Sequence, residues 1–197
     1  AAAGKNPELI KVLMDSFALA EGFTGPEQPS GLAPIYEEDL GSWSAPFVMA
    51  TINTKNVHRT NFLLGHPYGR DFVYDEMMLT GPGEQGEAIA KHVASTPMMG
   101  GADDPKPGEG PTKEERDTGF YDILFVAEYP DGRTARFSVK GDRDPGYGST
   151  SKMISETAIA LCAHNSPGGV TTPGAALGEQ LVDRLQKNAG LTFAVES

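Results

Sequence analysis

Two β-rich runs joined by a tight turn constrain the fold more than any other feature of the chain. The runs cover residues 120–129 and 133–140, and Pro130-Asp131-Gly132 connects them. An Asp-Gly pair between alternating runs is a strong hairpin signal, because these residues accept the positive φ of hairpin turns. Antiparallel strands with helices between and after them are typical of α+β proteins. We therefore predict a mixed, largely antiparallel sheet with helices on one face.

Helical patterns precede and follow this hairpin. Asn6-Pro7 indicates a helix start, Ser44-Ala45-Pro46 indicates another, and Thr172-Pro173 indicates the last. The predicted helices cover about residues 7–16, 44–64, 84–93, 150–163 and 173–189, and further strands are predicted over 70–80 and 191–195. In the fourth helix the predicted apolar face consists of Met153, Ile154, Ala158, Leu161 and Cys162. Residues 95–112 have no periodicity, and we expect a long, mobile loop there.

Composition excludes several classes of protein. A net charge of −11 argues against nucleic acid as a partner, because phosphate binding needs clustered Lys and Arg. The single cysteine, Cys162, excludes an intrachain disulfide and favours a cytoplasmic setting. The apolar runs are too short for a transmembrane segment. The four histidines have no metal-binding spacing, so no metal site is expected.

The chain is interpreted as one domain over residues 1–197, long enough to bury a core. It begins with Ala1 rather than Met, which suggests a fragment of a longer protein, with proteolytic processing as the alternative.

The segment 140–152 is the first candidate site. It places a Gly-rich turn and three hydroxyl residues between a predicted strand and a predicted helix, an order that favours an anion at the helix N-terminus. Ser151 stands where a dinucleotide fingerprint needs its third glycine, and a hairpin precedes the segment, so a complete cofactor site is not expected. A plain turn and helix cap is the alternative. The candidate residues for substrate or anion binding are Arg143, Tyr147, Ser149 and Thr150.

A polar stretch of the second predicted helix is the other candidate. One helical turn separates Lys55 from Arg59, so both cations can reach one anion, and Asn53 lies on the turn before them. A solvated helix face is the alternative for most of this stretch.

Long phrases of the sequence resemble the C-terminal half of saccharopine dehydrogenase-like oxidoreductases, in the bacterial branch that includes trans-acting enoyl reductases. The likeness covers about residues 42–94 and 116–195. The phrases are APFVMATINTKNVHRTNFLLGHPYGRDFVYDEMMLTG, GFYDILFVAEYPDGRTARFSVKGDRDPGYGSTSKMISETA and GGVTTPGAALGEQLVDRLQKNAGLTF.

The resemblance implies a two-domain parent. That family has an N-terminal Rossmann domain that holds NAD(P), followed by a domain for substrate binding and dimerisation. This chain does not start with a G-x-G-x-x-G strand–turn–helix, so the resemblance implies that it is the second domain, similar to the C-terminal domain of glyceraldehyde-3-phosphate dehydrogenase. The nucleotide-binding domain is then its missing partner, NAD(P) belongs mainly to that domain, and no cofactor is expected for this chain alone.

The resemblance also implies a function. The parent would transfer hydride between NAD(P) and a small metabolite or acyl intermediate. The activity would reside in the parent and not in this chain alone, and the chain would form a homodimer. Residues Gly168, Gly169, Thr171 and Thr172 would form a turn that faces the cofactor domain. No catalytic residue is assigned. A non-catalytic binding or dimerisation module is the alternative.

Overall fold

A computed structural model describes residues 6–96, 108–164 and 168–196. The chain divides into two compact units, residues 1–104 and 105–197. Each unit has one three-stranded sheet, and every strand pairing in these described ranges is antiparallel. The predicted α+β class is confirmed, but the strands form two small sheets in place of the single mixed sheet. Most of the predicted loop 95–112 lies outside the described residues.

Within residues 6–96, the first unit contains three α-helices and the sheet β1-β2-β3. Its elements are α1 (Pro7–Met14), β1 (Ile35–Glu37), a 3-10 turn (Glu38–Leu40), β2 (Ser42–Pro46), α2 (Ala50–Leu63), β3 (Met77–Gly81) and α3 (Gly83–Ser95).

Two predictions for the first unit are wrong at their boundaries. Ser44-Ala45-Pro46 belongs to strand β2, because these residues are buried between β1 and β3, and α2 begins only at Ala50. The predicted strand 70–80 is shorter, since β3 begins at Met77. Ahead of it, the Gln28 side chain donates to the Phe72 carbonyl and accepts from the Tyr74 N–H. The Gln28 side chain thus makes the hydrogen bonds that a neighbouring strand would otherwise make with residues 72–74.

A cluster of aromatic and histidine rings lies around Phe17 in the first unit. Phe17 packs against Phe23 and His58, with ring centroids 5.5 and 4.4 Å away. Phe23 also contacts Phe62 and His66. His58 is buried, and its Nε2 lies 3.0 Å from Gln28 Oε1. Burial lowers the pKa of His58, because the charged imidazolium loses its hydration there.

In its described residues, 108–164 and 168–196, the second unit contains four helices and the sheet β4-β5-β6. Its elements are α4 (Lys113–Thr118), β4 (Tyr121–Glu128), β5 (Thr134–Gly141), α5 (Gly148–Ala163), α6 (Pro173–Leu177), α7 (Glu179–Asn188) and β6 (Leu191–Glu196). The predicted hairpin is confirmed: β4 and β5 pair from Tyr121↔Gly141 to Glu128↔Thr134, with Gly132 at φ 82° in the turn. The final strand, β6, pairs with β5.

Helix α5 buries a different face from the predicted one. Ala160 joins the buried cluster of Leu177, Leu181 and Leu185, and Met153 packs against it. Ile154, Ala158, Leu161 and Cys162 are exposed, so the predicted apolar face is wrong for them. The small side chain of Ala160 lets α5 approach its neighbours closely, whereas the larger apolar residues lie on the outer side.

Candidate functional site

The loop between β5 and α5 is organised by one carboxylate. Asp144 accepts hydrogen bonds from the N–H groups of Gly146, Tyr147 and Gly148 at 2.9, 3.1 and 2.5 Å. Its carbonyl oxygen also accepts from the Ser149 N–H at 2.8 Å. These backbone bonds, led by that from Gly148, hold the pKa of Asp144 below its usual value. The positive end of α5 therefore already carries an internal anion.

This arrangement does not fit a dinucleotide pyrophosphate. The N–H groups that a phosphate would use are bonded to Asp144, whose negative charge repels a second anion. A Cβ atom on Gly148 would lie 2.8 Å from Asp144 Oδ2 and 2.9 Å from the Arg116 carbonyl oxygen, so the loop is also tightly packed. The residues of this loop provide no cradle for the phosphates of NAD(P).

An open cleft lies beside this loop. Its volume is about 470 Å³, and its lining comes from α4, the loop and the first turns of α5. The lining residues are Arg116, Asp117, Arg143, Tyr147, Gly148, Ser151 and Lys152. A neighbouring hollow of about 340 Å³ shares Arg116 and Tyr147 and extends along residues 108–111. We call the two together the α4–α5 cleft.

Two cations that line the α4–α5 cleft, Arg143 and Lys152, have carboxylate partners. Arg143 Nη1 contacts Asp117 Oδ1 at 2.6 Å, and Lys113 also bonds to that carboxylate. The bond from Lys113, with the charges of Arg143 and Arg116, holds the pKa of Asp117 below its usual value. Lys152 Nζ lies 3.5 Å from Asp142 Oδ1. The hydrogen bonds of Arg143 to other described residues use only Nη1, which leaves Nε and Nη2 for a ligand.

The four residues predicted in segment 140–152 have different surroundings. Arg143 and Tyr147 line the cleft. Ser149 is fully buried, with its hydroxyl 2.9 Å from the Tyr121 hydroxyl. Thr150 donates its hydroxyl to the Pro145 carbonyl oxygen at 2.6 Å. The contacts of Ser149 and Thr150 hold the loop and the start of α5 in place.

The sequence reasoning missed the contribution of α4. Arg116 and Asp117 lie on this helix, which was not predicted. Its sequence signal is a capping box: Thr112 accepts from the Glu115 N–H, and the Glu115 side chain accepts from the Thr112 N–H. Thr-x-x-Glu at residues 112–115 could therefore have located the helix.

The polar stretch of α2 belongs to the first unit. Lys55 Nζ donates to the Leu13 carbonyl oxygen at 2.7 Å, and Arg59 Nη1 donates to the Leu19 carbonyl oxygen at 2.5 Å. Asn53 donates to Glu76. Desolvation lowers the pKa of Lys55. These contacts attach α2 to the last turn of α1, to the segment that follows α1 and to the residues ahead of β3.

The predicted turn 168–172 lies before α6. Gly168, Gly169 and Thr171 are exposed, while Thr172 is buried and caps α6 by accepting from the Ala175 N–H at 3.3 Å. The cap predicted at Thr172 is confirmed.

Metal-binding clusters and membrane-spanning helices are both absent from the described parts of the chain. Residues 6–96, 108–164 and 168–196 contain no cluster of three or more His, Cys, Asp or Glu residues that could hold a metal. None of the helices in these ranges combines the length and apolar character of a membrane span.

The fold and the cleft define an α+β chain with a polar, partly charged groove, and comparison with known proteins extends this description. The chain is 33% identical to a Mycobacterium tuberculosis protein named as a trans-acting enoyl reductase, over 93% of this chain and 50% of that protein. It is 28% identical to trans-acting enoyl reductases of Mycobacterium bovis and Mycobacterium ulcerans, over 93% and 98% of this chain.

The chain is thus a distant homologue of trans-acting enoyl reductases and spans about half the length of these curated relatives. No family model matches the chain. No solved structure matches it either.

Proposed function

We propose that this chain is the substrate-binding and dimerisation domain of a saccharopine dehydrogenase-like oxidoreductase, in the enoyl reductase branch. The parent would transfer hydride between NAD(P) and a small metabolite or acyl intermediate. The observation that carries the proposal is the 33% identity over 93% of the chain to half of a trans-acting enoyl reductase. The proposed fold is that of the family's second domain, similar to the C-terminal domain of glyceraldehyde-3-phosphate dehydrogenase.

Within this proposal the cofactor belongs mainly to a nucleotide-binding domain outside the chain. The closed N-terminus of α5 and the antiparallel pairing of all described strands support this division, because dinucleotide sites use a parallel sheet and open N–H groups. The turn at Gly168, Gly169, Thr171 and Thr172 is the proposed face toward that domain.

The substrate contacts are proposed in the α4–α5 cleft. Arg143 and Tyr147 would orient the substrate, with Arg116 and Lys152 beside them. A guanidinium with free donors recognises a carbonyl or carboxylate oxygen, and an exposed tyrosine offers both a ring and a hydroxyl. Ser149 and Thr150 would support these residues from behind. Asn53, Lys55 and Arg59 are second choices for ligand contacts.

The experiment is a paired assay of the full-length parent and this chain. The parent should oxidise NAD(P)H in the presence of an α,β-unsaturated thioester, whereas this chain should bind neither NADH nor NADPH by calorimetry. Sub-micromolar NAD(P)H binding by the chain alone would refute the assignment of the cofactor to another domain.

A non-catalytic binding or dimerisation module is the second candidate. The occupation of the α5 N-terminus by Asp144 and the exposed strand β4 favour it. This second candidate predicts that the parent forms a stable dimer but oxidises no NAD(P)H with any thioester tested.

A further inference from the structure

Strand β4 is an edge strand with no cover. In the sheet β4-β5-β6 its only strand neighbour is β5, as far as the described residues extend. Every residue from Asp122 to Tyr129 is exposed, including the apolar run Ile123, Leu124, Phe125 and Val126. About half of the backbone N–H and C=O groups of such a strand point away from its neighbour and can pair with another strand.

Proteins usually protect an edge strand with an inward-facing charge, a proline or a bulge. β4 has none of these between Ile123 and Ala127, and its pairing with β5 is continuous over eight residues. A long, apolar and regular edge of this kind is suited to adding another strand.

From this exposed edge we infer that a second copy of the chain pairs with β4, so that two three-stranded sheets join into one six-stranded sheet across a two-fold axis. This inference rests on the homodimer in the proposed function and is independent of its substrate and cofactor. A two-fold axis perpendicular to an antiparallel sheet makes the interface self-complementary.

Charge selects the register of this pairing. Side chains that lie opposite each other in the pairing are on the same face of the sheet. The axis must therefore pass between the two copies of one residue, and Leu124 and Phe125 are the two central choices. An axis at Phe125 would place Asp122 opposite Glu128 twice, which is repulsive. An axis at Leu124 places Asp122 of one copy opposite Val126 of the other, and Val126 pairs with Arg136 on β5. This register therefore avoids the repulsion between Asp122 and Glu128.

The Leu124 register also joins apolar rows. Within one copy, Ile123, Val139 and Phe193 form one row across the sheet, while Phe125, Phe137 and Val195 form another. With the axis at Leu124, Ile123 of one copy lies opposite Phe125 of the other, so the two rows become continuous. Phe125, Phe137 and Val195 are 40, 42 and 77% exposed in the single chain, and the joined row shields part of this surface.

The first test is the oligomeric state of the 197-residue chain by light scattering. The wild type should be a dimer. Leu124→Lys should raise the dimer dissociation constant by more than about tenfold, because two lysines would meet at the axis. Ala194→Lys is the matched control, since it places a lysine in the same row and face on the opposite edge strand. It should remain a dimer with an unchanged dissociation constant.

The second test fixes the register. In a Cys162→Ala background, Leu124→Cys should form an intermolecular disulfide under mild oxidation, because residue 124 meets itself at the axis. Phe125→Cys, which faces Ile123 in the inferred register, should not. A monomeric wild type, a dimer broken by Ala194→Lys but not by Leu124→Lys, or preferential linking through residue 125 would overturn the inference. None of these results would affect NAD(P)H oxidation by the parent, which tests the proposed function separately.

Discussion

Lys55 and Arg59 of the first unit differ from Arg143 of the second in whether a carboxylate is among the contacts that are described for them. In the first unit, Lys55 and Arg59 donate to main-chain carbonyl oxygens of Leu13 and Leu19. In the second unit, Arg143 donates to both the carbonyl oxygen and the side chain of Asp117, and it lines an open cleft. A bond to a carbonyl oxygen fixes the path of the chain, whereas an exposed ion pair can exchange its carboxylate for a ligand. Spacing in sequence suggested a ligand role for both sets, but only one of them lines the α4–α5 cleft.

The largest expected effects come from glycines that hold each unit together. A Cβ on Gly86 would lie 1.9 Å from the Gly81 carbonyl oxygen in the first unit, and one on Gly141 would lie 2.1 Å from the Tyr121 ring in the second. Gly86→Ala and Gly141→Ala should each lower the free energy of unfolding by about 3 kcal/mol. Urea denaturation measures this loss.

Gly168→Ala is the control, because open space surrounds that position. It should change the free energy of unfolding by less than about 0.5 kcal/mol. Equal losses in all three variants would contradict the packing account.

Arg59 should affect stability more than Arg143 does. Arg59→Ala removes the bond to the Leu19 carbonyl oxygen and should cost about 2 kcal/mol. Arg143→Ala removes a partly exposed ion pair and should cost less than about 1 kcal/mol. Thermal unfolding of both variants tests the order, and the reverse order would show that Arg143 serves the fold.

Asp144→Ala should open the N-terminus of α5. Loss of this cap should lower the free energy of unfolding, and sulfate should then stabilise the variant more than the wild type, because three N–H groups become available. Asp142→Ala is the control, since Asp142 pairs with Lys152. If sulfate stabilises wild type and Asp144→Ala equally, Asp144 does not occupy an anion site.

The smallest effects concern pH and again separate the units. His58 has a lowered pKa in the folded state, so the unfolded chain binds more protons just below pH 6.5, and stability of the first unit should fall as the pH drops through that range. Asp144 has a lowered pKa, so its contribution to the second unit is present above the ordinary value of 3.8 and lost below it. During acid titration the first unit should therefore lose stability at a higher pH than the second unit does.

Fluorescence of Trp43, the single tryptophan, reports on the first unit during acid titration. His58→Gln should remove the weakening near pH 6, while His92→Gln, at an exposed position of α3, should not. An unchanged profile in His58→Gln would assign the effect to another group.

Local signals in the sequence predicted the elements whose stabilising contacts are also local. The Asp131-Gly132 turn, the Asn6 cap and the Thr172 cap each act within a few residues, and all three are present. Strand β2 was missed because its strand character depends on pairing with β3, which is distant in sequence, as well as with the three-residue β1. The buried face of α5 was misjudged because Ala160 packs against residues of α6 and α7, which periodicity in α5 alone does not encode.

The candidate site was predicted only in part, because some of its residues are brought to it by contacts that local sequence signals do not encode. Arg143 and Tyr147 followed from their place between a strand and a helix, and both line the cleft. The role of Asp144 could not be read from spacing, because the loop must fold before its carboxylate reaches three N–H groups. Arg116 and Asp117 come to the cleft from another helix.

Steady-state kinetics of the parent protein test the central claim most directly, with NAD(P)H and an α,β-unsaturated thioester as substrates. Arg143→Ala should lower kcat/KM for the thioester by about tenfold or more while leaving KM for NAD(P)H and the melting temperature near their wild-type values. Arg59→Lys, which keeps its charge at the main-chain contact, should leave kcat/KM unchanged. An unchanged kcat/KM in Arg143→Ala, together with a large loss in folded Arg59→Lys, would contradict the assignment of the substrate to the α4–α5 cleft.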